Sequence, residues 1–209
     1  MDAKNNYNDN VFINCPFDED HKELQNAMVF AIYDCGFVPR CALEENDAGD
    51  VRFDKIRRLI EISRYGIHDI SRTELDRVNG LPRFNMPFEL GLFLGARRYG
   101  DEEQKKKNLL ILDREEYRYQ KFLSDIAGQD IRSHAGNSAL LIGHVRNWLS
   151  SASRRTTIPG GKEITARYAL FSADLPAMCQ QFRISPDEIT FNDYSLFVSE
   201  WLKKTNAAS

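Results

Sequence analysis

The sequence predicts an α/β protein: a parallel sheet of about five strands with helices on both faces, plus a small C-terminal helical appendage. Three observations carry that prediction. Short apolar, β-favouring runs alternate with longer stretches whose apolar residues recur at helical spacing. The run NLLILD (108–113) is unbroken in its apolar character, as expected of a strand covered on both faces. Pro39, inside a second short run, cannot donate to a ladder, which assigns that run to a sheet edge.

The elements follow in order. VFINCPF (11–17) reads as a buried first strand. DEDHKELQNAMVFAIYDCG (18–36) reads as a helix, with acids at its front, Leu24, Ala27, Met28, Ala31 and Ile32 at helical spacing, and Gly36 to cap its end. FVPRCAL (37–43) is the edge strand and EENDAGD (44–50) a loop. VRFDKIRRLIEISR (51–64) is an amphipathic helix with Ile56, Leu59, Ile60 and Ser63 inward and the arginines outward. YGIHDIS (65–71) is the third strand and RTELDRVNGLPRF (72–84) a polar loop. RFNMPFELGLFLGARRYG (83–100) gives the next helix, with Pro87 in its first turn. Gly91 and Gly95, one turn apart, allow a neighbour to approach that face closely.

DEEQKKK (101–107) is expected as a solvated loop before the NLLILD strand. YRYQKFLSDIAG (117–128) reads as a helix, DIRSH (130–134) as a short fifth strand and SALLIGHVRNWLSSAS (138–153) as a helix. TTIPGGKE (156–163) looks like a linker, followed by two or three short helical patterns around PAMCQQF and FNDYSLFVSEWLKK. The expected division is residues 1–155 for the α/β domain and 156–209 for linker and appendage. A strand order of 2-1-3-4-5 puts Pro39 at an edge, as the flavodoxin-like arrangement requires.

Composition narrows the function. The chain has 209 residues, 42 % apolar and 28 % charged, and a formal net charge of −3. That balance gives no electrostatic reason to expect direct nucleic-acid binding or an anionic membrane. Apolar runs fall far short of the roughly 18 residues a membrane helix needs. The polar start MDAKNNYNDN is not expected to be a signal peptide. Cys15, Cys35, Cys41 and Cys179 show no CxxC spacing and suit a reducing cytoplasm. No histidine pair has zinc-ligand spacing, so no metal is expected, and no GxSxG elbow announces a Ser-His-Asp triad.

In sheets of this order, ligands bind beyond the carboxyl ends of the strands, where strand order reverses. That point lies between strands one and three, which exit as NCPFDED and DISRTE. The first segment has no glycine, so neither GxGxxG nor GxxxxGK[ST] is present. Asn14 and Phe17 can supply an amide and an aromatic wall; Asp69 and Ser71 close the third strand toward the same crevice. Several of these residues carry two readings. Asp69 caps a loop or holds ribose hydroxyls. Asn85 is an N-cap, a substrate contact, or both. Arg40 is a solvated edge charge or a phosphate ligand, and Cys15 is a small buried residue. Glu89 is the one charged residue between Met86 and Ala96. As a first-turn acid it would stabilise the helix dipole by ~0.3–1 kcal/mol. As a chemical group it would face the positive charge that develops on a sugar when an N-glycosidic bond breaks.

YGIHDIS, a polar loop and NMPFELGLFLGA together resemble a bacterial pattern: a strand ending D-[IL]-[ST], a loop with Asn, and a helix opening ELGxxxxA. That pattern belongs to the TIR-like and nucleoside 2-deoxyribosyltransferase-like proteins, and VFINCPFDED resembles their first strand and substrate loop. The resemblance spans roughly residues 10–150. It implies a flavodoxin-like core, NAD or a nucleoside as substrate with no cofactor, and Glu89 acting at ribose C1, with Asn14, Phe17, Asp69, Ser71 and Asn85 lining the crevice. It also implies homo-oligomers, an activator protein and bacterial antiviral defence, or else a non-catalytic module that only binds a nucleotide signal or only assembles as a scaffold. Where the deoxyribosyltransferases carry acids to handle the base, this chain has Gly66 and Arg83, which favours NAD, whose leaving group needs no protonation. The tryptophan-cysteine pair of TIR enzymes ahead of the glutamate is replaced by Met86, Pro87 and Phe88.

Overall fold

A computed structural model of the chain describes residues 6–75 and 80–207. The stretch MDAKN and residues 76–79 of the expected polar loop lie outside the described residues. Strands β1 (Asn10–Asn14), β2 (Val38–Arg40), β3 (Tyr65–Asp69), β4 (Asn108–Asp113) and β5 (Arg132–Ser133) form one sheet in the order β2-β1-β3-β4-β5. All four pairings are parallel. Pro39 sits opposite Val11 on the edge strand, where its missing N–H leaves no ladder bond unmade on the open side.

The helices are α1 (Lys22–Asp34), α2 (Arg52–Glu61), α3 (Asn85–Tyr99), α4 (Ser138–Ser153), α5 (Gly161–Phe182) and α6 (Phe191–Ala207). Side chains alternate across the sheet with period two. Val11, Ile13, Tyr65, Ile67, Leu110 and Leu112 pack into a core with α1, α4, α5 and α6. Phe12 and Ile111 point the other way, to two clusters built with α2 and α3. Gly66 shares that second face because Phe93 lies on it: an added Cβ would sit 2.7 Å from the Phe93 ring.

Several expectations are corrected. Residues 117–128 form two short 3-10 turns, Arg118–Lys121 and Ser124–Ile126, not one helix. The cause is Arg118, which is buried and donates to Asp113 Oδ1 (2.8 Å), Thr73 Oγ1 (2.8 Å) and the carbonyls of Ile70 and Ser71. Those tertiary bonds override local helical spacing. Lys107, expected in a solvated loop, is buried, and its ammonium donates to the carbonyls of Ile60 and Ser63 beneath the Phe93 ring. Arg40 is not a solvated edge charge; it is buried and its Nε lies 2.9 Å from Glu44 Oε1. Gly91 and Gly95 face open space: a Cβ added at either would meet nothing within 4 Å among the described residues. The C-terminal patterns are two long helices, of 22 and 17 residues, that pack on α1 and α4; α5 starts inside the expected linker. Among the described residues no helix is long and apolar enough to cross a membrane.

Candidate functional site

Glu89 is 8 % exposed and lies on the side of α3 that faces α2. The helix begins at Asn85, with Phe84 before it and no side-chain cap bond. Asn85 is therefore not the N-cap that its residue type suggests. Glu89 is the fifth helical residue, beyond the first turn, so the dipole reading loses its geometry. Its carboxylate instead borders a cavity of about 180 Å³ bounded by Arg52, Phe53, Ile56, Asn85, Phe88 and Leu92. The Phe53 and Phe88 rings stand 6.2 Å apart at 39° and are both exposed at its mouth.

Burial pushes the Glu89 carboxyl up to about 7 against the downward pull of the Arg52 guanidinium. That pull is weak because Arg52 Nη2 stays 3.9 Å from Oε1 and its side chain is more than half exposed. The result is an under-compensated buried carboxylate beside a partly aromatic cavity. A second cleft of about 290 Å³ continues along the α2–α3 groove and shares Phe53 and Leu92 with the first.

Asp69 and Ser71 go elsewhere. Asp69 is fully buried at the end of β3, and its Oδ1 accepts from the Ser71 amide (2.9 Å) and from the Ser71 hydroxyl. His21 Nε2 and His134 Nε2 approach its Oδ2 at 3.1 and 3.2 Å, close enough for strong attraction although their N–H bonds are not well aligned with that oxygen. Burial alone would raise the Asp69 carboxyl; the two imidazoles reverse this and hold it well below the usual carboxylate range. His134 Nδ1 accepts the Gly136 amide at 3.0 Å, which places the ring proton on Nε2. With that proton present, His134 cannot take one from Ser71 Oγ, 2.8 Å away. The Ser71, His134 and Asp69 triplet is thus a structural lock joining β3 to the segment after β5, not a nucleophile with its base.

Asn14 is similarly engaged. Its Nδ2 donates to Met86 O (2.8 Å) and to His68 Nδ1 (3.1 Å), tying β1 to β3 and to the start of α3. His68 is fully buried, and burial, aided by Lys107, pushes it down to about 3, so it serves as a neutral acceptor. Phe17 borders a different, larger open cleft of about 800 Å³, lined from the β1–α1, β2–α2 and α5–α6 connections. Beside it, Asp18 receives Arg72 at 2.8 Å and Arg83 at 3.7 Å, holding the two segments that leave β1 and β3 together.

Of the six residues expected at one site, only Glu89 and Asn85 share a cavity. Asn14, Asp69 and Ser71 are bonded at the ends of β1 and β3, and Phe17 belongs to the larger space. Sequence reasoning missed Arg52, Phe53 and Phe88. The outward arginines of the amphipathic helix were the only signal for the first, since nothing local tells which one meets a carboxylate across the groove. Among the described residues no group of His, Cys, Asp and Glu is arranged to hold a metal ion. No protein-family model, curated protein or solved structure matches the chain.

Proposed function

We propose that this protein cleaves the N-glycosidic bond of NAD at the nicotinamide ribose, with Glu89 as the catalytic carboxylate. The supporting observation is that Glu89 is buried beside a cavity with two aromatic rings at its mouth, and that Arg52 comes no nearer than 3.9 Å. A carboxylate so desolvated is poorly stabilised until positive charge arrives, and an oxocarbenium-like ribose supplies that charge only as the bond breaks. In the step proposed, the C1′–N bond breaks and its electron pair stays on the pyridine nitrogen, which becomes neutral. Glu89 stabilises the cation at C1′ or traps it as an ester. Water then adds at C1′ and releases one proton.

Phe53 and Phe88 suit a planar cationic ring, which is attracted to aromatic faces. Gly66 also supports a leaving group that needs no protonation. The Phe93 ring fills the space where an acid at that position would have to start. The proposal includes the homo-oligomer that the resemblance implies, because a second copy would cover the exposed rings of Phe53, Phe84 and Phe88.

Incubation with NAD, with chromatographic separation of nicotinamide and ADP-ribose, tests this reading. Release by the wild type should fall at least ~10³-fold in Glu89→Gln, which keeps shape and removes the charge. Equal release by the two proteins, or none from either across dilute and concentrated samples, contradicts it.

A further inference from the structure

The Glu89 cavity and the cleft of about 290 Å³ beyond it lie in line between α2 and α3, and Phe53 and Leu92 wall both spaces. Glu89, Leu92 and Ala96 recur at helical spacing on the side of α3 that faces α2. The carboxylate and the wall at Ala96 are therefore about 10 Å apart along the helix axis. Together the two spaces make a narrow groove with an acid at one end.

The two ends differ in chemistry. At the first, Glu89 is buried, and the guanidinium that reaches it, Arg52 from α2, stays 3.9 Å away with more than half of its side chain exposed. An ammonium seated against the carboxylate at hydrogen-bond distance would be the stronger partner. The Phe53 and Phe88 rings at the mouth attract cations to their faces. The second cleft is walled by Phe53, Ile60, Leu92 and Ala96. Its polar groups turn to one another. Arg57 lies 3.7 Å from Glu61, and Gln104 Nε2 donates to the Glu61 carbonyl at 2.9 Å. The walls that remain favour hydrocarbon.

Charge at one end and apolar surface at the other select a single kind of molecule. We propose that the groove binds a lipophilic primary amine, its ammonium on Glu89 and its tail along Leu92 and Ala96. The inference rests on the proposed reaction only in sharing its carboxylate, and such an amine would compete with NAD. Isothermal titration of the full chain without NAD tests it, using butylamine, hexylamine and octylamine, with 1-hexanol and hexanoate for comparison. Hexylamine should bind saturably below about 1 mM, and the alcohol and the acid at least about tenfold more weakly. Affinity should rise about tenfold or more from butylamine to octylamine, since each buried methylene can contribute up to about fourfold. Glu89→Gln should weaken every amine about tenfold or more. Ala96→Leu, which fills the far cleft, should weaken octylamine about tenfold and leave butylamine within about twofold. Hexylamine should bind about tenfold more weakly at pH 6 than at pH 8, because burial holds Glu89 near 7 while the amine stays charged. No saturable binding, an affinity indifferent to tail length, an alcohol or acid as tight as the amine, or an affinity unmoved by Glu89→Gln or by Ala96→Leu overturns the proposal. Amine binding by a protein that leaves NAD intact keeps this site and removes the proposed reaction; nicotinamide release without amine binding does the reverse.

Discussion

At the scale of the residue, the burial of Glu89 couples stability to pH. Its folded pKa, about 7, lies above the ordinary value of 4.5. Between those two values the folded chain holds a proton that the unfolded chain has released, so the residue's contribution to stability is present below about 4.5 and lost as pH rises through about 7. Glu89→Gln mimics the protonated form. It is therefore expected to be more stable than the wild type at pH 8 by on the order of 2 kcal/mol, and to match it near pH 4. Urea unfolding at both pH values measures this; a variant less stable at pH 8 would mean the carboxylate is well compensated. That Glu89 stands apart was legible in the sequence, because it is the one charge between Met86 and Ala96 of an apolar helix. Its environment was not: the wall opposite comes from α2, more than thirty residues earlier. The histidines show the same limit. His21 and His134 have no meaningful spacing along the chain, yet both meet Asp69.

At the scale of the element, the strands were readable because each is a short buried apolar run, and period two sends alternate residues to opposite cores. Pro39 assigned β2 to an edge and the alternation of strands with helices gave a parallel sheet, both of which the observed order satisfies. The segment 117–128 departs from its helical spacing because Arg118 gives its donors to β3 and β4, a tertiary demand invisible to local periodicity. How α3 seats on the sheet depends on Gly66. Gly66→Ala puts a methyl 2.7 Å from the Phe93 ring and 2.9 Å from His68 Nε2, and Phe93 is itself fully buried against Phe12. The expected loss is ~1–3 kcal/mol, as for other overpacked cores. Because α3 carries Glu89, NAD cleavage should fall as well. Chemical denaturation checks the first effect, and an unchanged midpoint would contradict the packing described.

At the scale of the whole molecule, the C-terminal helices are part of the main core. Ala27 to Ile32 of α1 are all buried, one side by the sheet and the other by α5 and α6. Phe30 meets Phe171 at 5.4 Å and Trp201 at 5.9 Å between ring centroids. Six consecutive buried apolar residues are the mark of a helix covered all round, and that run is the trace this arrangement leaves in the sequence. A chain ending at residue 155 would expose that face. It is expected to lose a cooperative thermal transition and to aggregate, whereas a sharp melt at the full-length temperature would show that residues 1–155 fold alone.

The most direct measurement is the pH dependence of nicotinamide release from NAD, in the wild type and in Arg52→Ala. In the proposed reaction, only ionised Glu89 stabilises the ribosyl cation. The wild-type rate should therefore rise through one ionisation near 7 and level off above it. Removing the Arg52 charge should move that midpoint upward. A rate that is flat across this range, or a midpoint that moves down in Arg52→Ala, would contradict the assignment of Glu89 as the group that acts on the sugar.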